Sequence, residues 1–268
     1  MADLLHIDDP ADERLGDYAA LNDPALRKRY ENRLGVFIAE GPNPVRELVA
    51  SRYPVRSLLL AEERLVEVGD LLDAVDAPAY VVPRDVLYAL VRFPLHQGVL
   101  ACGRRLGPPS VEEVVDGARR LLVLEGLNDH ENLGTLFRSA RGLGADGVLL
   151  GAGCADPLYR RSVRVSMGHV LHLPFTPAGP VADLLPRLHA AGVATVALTP
   201  DPDATELGAF APGEGPVALL LGAEGPGLSD AALAGVHHRL RIAMDAGVDS
   251  LNVAAAGAVA LHALRRRP

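Results

Sequence analysis

The chain has 268 residues, 49% of them hydrophobic, and a formal net charge of −8. That is enough apolar content for one large domain or two modest ones with real cores, and it is too acidic overall for a general nucleic-acid binder unless the positive charge is clustered. No run of about 18 uncharged apolar residues offers a membrane span, and the first 17 residues (MADLLHIDDPADERLGD) are acidic where a signal peptide is basic and then apolar, so the cytoplasm is the expected compartment.

After the acidic lead, VFIAEG at 36–41 reads as an apolar strand, and PNPVRELVAS as a helix with proline at its start and Val45, Leu48 and Val49 on one face. VRSLLLA, AYVVP and QGVLAC read as further strands, which gives a small α/β domain over 1–106. GRRLGPPS has glycine and proline without periodicity, which places a linker at 107–112. Beyond it, LLVLEG (121–126), GVLLG (147–151), ATVALT (194–199) and VALLLG (217–222) are short and almost wholly apolar, as strands buried on both faces are. RLRIAMD (239–245) alternates more. Helical stretches lie between them: ENLGTLFRSARGLG, PLYRRSVRVSMG, PVADLLPRLHAAG and SLNVAAAGAVALHALRRR. The second domain, 113–268, is therefore expected to be an α/β fold with a parallel sheet covered on both sides.

Ligands of open parallel sheets lie at the carboxyl ends of the strands. Three strand-terminal segments there carry polar residues that a core does not need: NDHENLGTLFRSA (128–140), LGAEGPGLS (221–229) and IAMDAGVDSLNVAAA (242–256). In the first, Asn132 and Arg138 are six apart; in the second stand Gly222, Ala223, Glu224 and Gly225; in the third, Ser250, Leu251 and Asn252 open a helix just after Asp249. Each has a bland reading as a helix cap, a surface residue or a tight turn. Gly222, Gly227 and Ser229 match the spacing of a phosphate-binding loop, but Leu228 stands where its lysine belongs and Glu224 would repel a polyphosphate. Cys102 and Cys154 are far apart and outside any C-x-x-C or Cys/His group, which argues against a disulfide framework and structural zinc.

Taken together, the three segments resemble the motifs of the SpoU/TrmH family of RNA ribose 2'-O-methyltransferases: N-x-G-x-x-x-R at 132–138, L-G-x-E-G-x-G-L at 221–228 and I-x-M-x(5)-S-L-N-V at 242–253. RVSMGHVLHLPF (164–175) resembles the family's intervening helix and strand, so the likeness covers roughly 113–268. FIAEGPNPVREL and HQGVLA resemble, more weakly, the small L30e-type substrate-binding domain that often precedes it. Ala243 stands where the family usually has proline, and Ala254 where it often has serine.

This resemblance implies a trefoil-knotted (SPOUT) catalytic domain, a rare exception to the rule against knots. It implies S-adenosylmethionine as cofactor, held by Gly222, Ala223, Glu224 and Gly225, by Ile242, Ala243 and Met244, by Ser250 and Leu251, and by Leu198 and Thr199. It implies a reaction centred on Arg138 with Asn132, Glu224, Ser250 and Asn252 around it, a homodimer, no metal, and an RNA substrate, ribosomal RNA ahead of transfer RNA.

Positive charge gathers at RKRYENR (27–33), at 104–105 and 119–120, in YRRSVR (159–164) and at 265–267; Lys28 is the only lysine. Guanidinium suits bidentate phosphate contacts, although a GC-rich genome would enrich arginine too. Arg160, Arg161 and Arg164 are the candidates for gripping RNA phosphates, a solvated helix face being the alternative. Three rival readings are a noncatalytic RNA-binding relative, a nucleotide hydrolase, and a hydrolase with Ser250 as nucleophile. The last lacks the G-x-S-x-G elbow, and His237 and His238 are expected to face solvent.

Overall fold

Each short apolar run of the sequence becomes a buried strand. In the computed structural model, which describes residues 1–211, 213–245 and 250–265, the chain divides into Met1–Gly107 with Leu158–His172, and Pro108–Pro157 with the chain from Leu173 onward. The break after Gly107 falls inside the stretch read as a linker. Residues 158–172, read as part of the second domain, group with the first unit instead.

The first unit contains β1 (Asp3–His6), a 3-10 turn (Glu13–Tyr18), α1 (Pro24–Leu34), β2 (Val36–Glu40), α2 (Pro42–Val49), β3 (Val55–Ala61), α3 (Gly69–Ala74), β4 (Pro78–Val82), α4 (Arg84–Val91) and β5 (Val99–Arg104). Its sheet has the order β1-β4-β3-β5-β2, with β5 antiparallel to both neighbours. Neither β1 nor α1 was expected from the acidic lead. The helix forms because Asp23 caps its start, Pro24 presets the first turn, and Gly35 ends it in the left-handed region. Its buried residues are Arg27 and Glu31, an ion pair at 3.0 Å with both side chains 3% exposed. An inward face made of charge has no apolar period to detect.

The segment 158–172 adds α7 (Arg160–Val165) to this unit. Arg160 pairs with the buried carboxylate of Glu40 at the end of β2, donates to Leu21 O at 3.1 Å, and lies 5.0 Å from the centre of the Phe93 ring. Arg164 reaches the other oxygen of Glu40 at 3.2 Å.

In the second unit, α5 (Val111–Val115), β6 (Arg120–Glu125), α6 (His130–Gly142), β7 (Gly147–Gly151), β8 (Phe175–Gly179), α8 (Val181–Ala190), β9 (Ala194–Leu198), β10 (Thr205–Glu206), β11 (Val217–Gly222), α9 (Asp230–Gly235), β12 (His238–Arg241) and α10 (Val253–Ala263) alternate. The sheet, ordered β10-β12-β9-β11-β6-β7-β8, is parallel throughout. The α10 helix packs on α6 and β11 across Gly257, where a Cβ would stand 2.5 Å from Leu136 Cδ2 and 2.7 Å from Leu221 Cδ1. Two expected elements are shorter than read: the strand at 239–245 stops at Arg241, and α10 begins at Val253, leaving Ser250 and Leu251 before it.

Replacing Glu40 by Ala strands the largely buried Arg160 without a counter-charge, a change that costs about 2–3 kcal/mol. The expected result is a lower urea midpoint at unchanged m-value. An unaltered midpoint would show that Glu40 does not hold α7 to this unit.

Candidate active site

The carboxyl ends of β9, β11 and β12 open into a pocket of about 880 Å3. Leu198 and Thr199 enter it from the end of β9, Gly222, Ala223, Glu224 and Gly225 from the loop after β11, Ile242 and Met244 from the chain after β12, and Ser250 and Leu251 from the approach to α10. Ala243, the remaining position expected here, is exposed and does not line it. Asp249 lies outside the described residues.

The loop after β11 is shaped by backbone. Gly225 and Gly227 have φ of +86° and +71°, and Gly227 N donates to Ala223 O at 3.0 Å, folding the loop onto itself. A Cβ at Gly222 would overlap the backbone of Gly227 and Leu228, so no other residue permits this return. Glu125, at the end of β6, ties the loop's base by accepting from Ser229 N (2.8 Å) and Ser229 Oγ (3.0 Å). The Leu228 side chain, at the position a phosphate-binding loop gives to lysine, is buried in the core.

Asn252 joins the three segments. Its Oδ1 accepts from Ala254 N (2.9 Å) and Ala255 N (3.3 Å), capping α10. With the oxygen committed to two backbone donors, the amide nitrogen faces the other way, and it donates to Asn132 Oδ1 (2.8 Å) and to Glu224 Oε1 (2.9 Å). Asn132 is free for this because Asp129, not Asn132, caps α6, accepting from Glu131 N and Asn132 N. The cap reading and the site reading of Asn252 are both true of one side chain.

Arg138 lies six residues along α6 from Asn132, exposed, and has no hydrogen-bond or ion-pair partner among the described residues. Its neighbours Leu136 and Phe137 face the core, so its placement is fixed while its guanidinium is unspent. Arg160 and Arg164 differ: both are engaged with Glu40 inside the first unit, and Arg161, exposed on the same short helix, also has an interaction of its own.

Residues that the sequence did not single out for the site are Glu125 and Arg241. Glu125 had a signal, a carboxylate closing an apolar run. Arg241 lines the pocket while pairing with Glu206 at 2.6 Å.

Other reactive groups are held away from chemistry. Burial pushes the thiols of Cys102 and Cys154 up, and Cys154 donates to Leu124 O at 3.3 Å. His237 is not simply solvent-facing: its Nδ1 accepts from Thr195 N (3.0 Å), and its ring lies 4.0 Å from that of His189, whose pKa is lowered by burial and then by His237. His237 precedes β12 and His189 lies in the last turn of α8, whereas Ser250 follows the end of β12, so neither histidine of this pair is placed as a base for Ser250.

Comparison with known proteins agrees with this geometry. The family model described as SpoU rRNA Methylase family matches residues 119–262, and that for RNA 2'-O ribose methyltransferase substrate binding matches residues 38–109. An uncharacterized tRNA/rRNA methyltransferase of Mycobacterium bovis is 46% identical over 262 residues, 97% of this chain and 91% of that protein. The 23S rRNA (guanosine(2553)-2'-O)-methyltransferase RlmP of Bacillus subtilis is 27% identical over 264 residues, 98% of this chain and 100% of that protein. The crystal structure of the SpoU methyltransferase AviRb of Streptomyces viridochromogenes, in complex with the cofactor AdoMet, matches with a TM-score of 0.79 at 26% identity, over 95% of this chain and 97% of that one. With the motifs, the parallel sheet and more than half of its length matched by one family model, the chain belongs to the SpoU rRNA methylase family.

Proposed function

We propose that the protein transfers a methyl group from S-adenosylmethionine to a ribose 2'-hydroxyl of ribosomal RNA. The observation that carries this reading is the Asn252 amide, which ties Asn132 and Glu224 together at the rim of a pocket of suitable size. Leu198, Leu221, Ile242 and Leu251 give that pocket apolar walls for a flat ring, and Glu224 gives it a carboxylate that favours a cationic centre. AviRb, 26% identical, was solved with this cofactor. The end-to-end likeness to an enzyme of 23S rRNA favours ribosomal over transfer RNA.

The cofactor supplies an activated methyl on a good leaving group. What remains for the chain is to hold the ribose hydroxyl in line and to stabilise the charge as its proton leaves. Arg138 does the second: a guanidinium stays charged, so it is no base, and it clamps the adjacent phosphate and steadies the developing alkoxide while that phosphate accepts the proton. Asn132, Ser250 and Asn252 orient the ribose, with the Asn132 amide N–H groups left free by the direction of its bond to Asn252. Glu224 orders the loop. Residues 1–106 hold RNA and 113–268 carry the reaction. The knot is part of this reading, supported by the chain's return from β12 near one sheet edge to α10 over α6 and β11. So is a dimer, for which α10 offers the exposed Val259.

The first experiment is transfer of labelled methyl to unmodified total RNA, followed by mapping of 2'-O-methyl positions. No label and no cofactor binding would leave a noncatalytic RNA-binding protein. Arg138→Ala is expected to lower kcat by about 10²–10³ with cofactor Kd unchanged; lost cofactor affinity instead would refute the division of roles. Glu224→Lys is expected to abolish cofactor binding, read by calorimetry. Asn252→Asp keeps the helix cap but sets two carboxylates against each other, so Tm should hold while turnover drops about tenfold or more; a variant as active as the native protein would rule out the bridge.

A further inference from the structure

The run RKRYENR has no part in the site described above, and it lies before residue 38, where the substrate-binding match begins. Within α1, Arg27 is consumed by Glu31. Arg29 and Arg33, four apart, share the exposed side of the helix. The Arg33 guanidinium lies 5.9 Å from the centre of the Tyr30 ring, and the Tyr30 hydroxyl donates to the buried Asp17 at 2.9 Å. Burial and then that hydrogen bond push the hydroxyl up to about 12, so it remains a neutral donor.

Tyr30 is also one wall of a recess of about 320 Å3 in the first unit, shared with Arg56, Tyr80 and Arg104. The end of α1 and the end of β5 are neighbours, because Val36 pairs with Arg104 and Arg105 N donates to Gly35 O at 2.7 Å. Asp17 is neutralised by Arg56 Nε at 2.7 Å, which leaves that guanidinium's terminal nitrogens available. Arg14, at the rim, is held by Asp12, and Glu13 adds one further acid. Arg33 and Arg104 are both exposed, and neither has a carboxylate partner among the described residues. Arg14, Arg56 and Arg104 thus line the recess against two acids, Glu13 and Asp17, with Arg33 on the adjoining helix, in a chain whose net charge is −8. Planar donors in excess, with tyrosine hydroxyls beside them, match phosphate oxygens better than any apolar or cationic ligand.

We propose that the exposed side of α1 and the adjoining recess form a second RNA contact, gripping the phosphodiester backbone of the substrate chiefly through Arg33 and Arg104. The inference rests on the RNA substrate proposed above. It assigns to Arg33, which precedes both family matches, and to Arg104, within the substrate-binding match, a role in affinity and none in the chemical step.

The test uses the full chain and its double variant Arg33→Gln/Arg104→Gln, with filter binding of unmodified ribosomal RNA transcripts measured across a salt series. RNA Kd and the KM for RNA should rise about tenfold at ~0.15 M salt, and the slope of log K against log salt should flatten by about 1.5, two phosphate contacts being lost. Tm, cofactor Kd and kcat at saturating RNA should stay as in the native protein. Unchanged affinity and slope overturn the proposal, as does weaker binding at an unchanged slope, which marks a structural role, or weaker binding to ribosomal particles alone, which marks a protein contact. If the native protein transfers no methyl yet the variant still loses RNA with a flatter slope, the reaction is wrong and the surface stands; if methyl transfer is normal in both and affinity is equal, the surface alone fails.

Discussion

The side-chain amide of Asn252 is the constraint on which the site depends. An amide has one end that accepts and one that donates, and the start of α10 fixes which is which by offering two backbone N–H groups to the oxygen. The nitrogen is then turned toward Asn132 and Glu224 with no freedom to invert. Three segments far apart in the chain are brought into register by a group whose direction is set by helix capping, an interaction worth about 1 kcal/mol. Economy of this kind has a cost in tolerance: substitutions that preserve the cap still change what the other end presents.

That amide can bridge only because the backbone around it approaches closely. The loop after β11 turns back on itself at Gly222, and α10 settles onto α6 and β11 at Gly257; in both places a single methyl would collide with neighbouring atoms. Glu125 then anchors the loop's far side through Ser229. The pocket is therefore preformed by main chain and small residues, with few long side chains whose ordering would oppose binding. Arg138 is the complement: a long side chain on a packed helix, with no ion-pair partner among the described residues.

Legibility in the sequence followed the physics of each signal. Strands buried on both faces are continuous apolar runs, so β6, β7, β9 and β11 could be read almost to the residue. Glycine and asparagine at strand ends marked where a site could form. What one chain could not display was the join: nothing in the spacing of Asn132, Glu224 and Asn252 says that one amide serves both partners. The α1 helix was hidden because its inward face is an Arg–Glu pair, and hydrophobic periodicity is blind to burial that is satisfied by charge. Residues 158–172 were assigned by neighbourhood in the chain, whereas Glu40 draws them to the first unit.

The arginines show why counting charge along a sequence misleads. YRRSVR and RKRYENR looked alike as basic runs, yet their guanidiniums have different fates. Arg160 and Arg164 both meet the buried carboxylate of Glu40, Arg160 largely buried and Arg164 half-exposed, so both guanidiniums are already engaged by the fold. Arg27 likewise answers Glu31. Once such pairs are subtracted, Arg29, Arg33, Arg104 and Arg138 are among the arginines left with no carboxylate beside them among the described residues. A guanidinium that no acid holds is the form of positive charge available to a phosphate, since it forfeits no existing bond when it binds. An acidic protein needs few of them, and the net charge of −8 reports only the sum from which they must be separated.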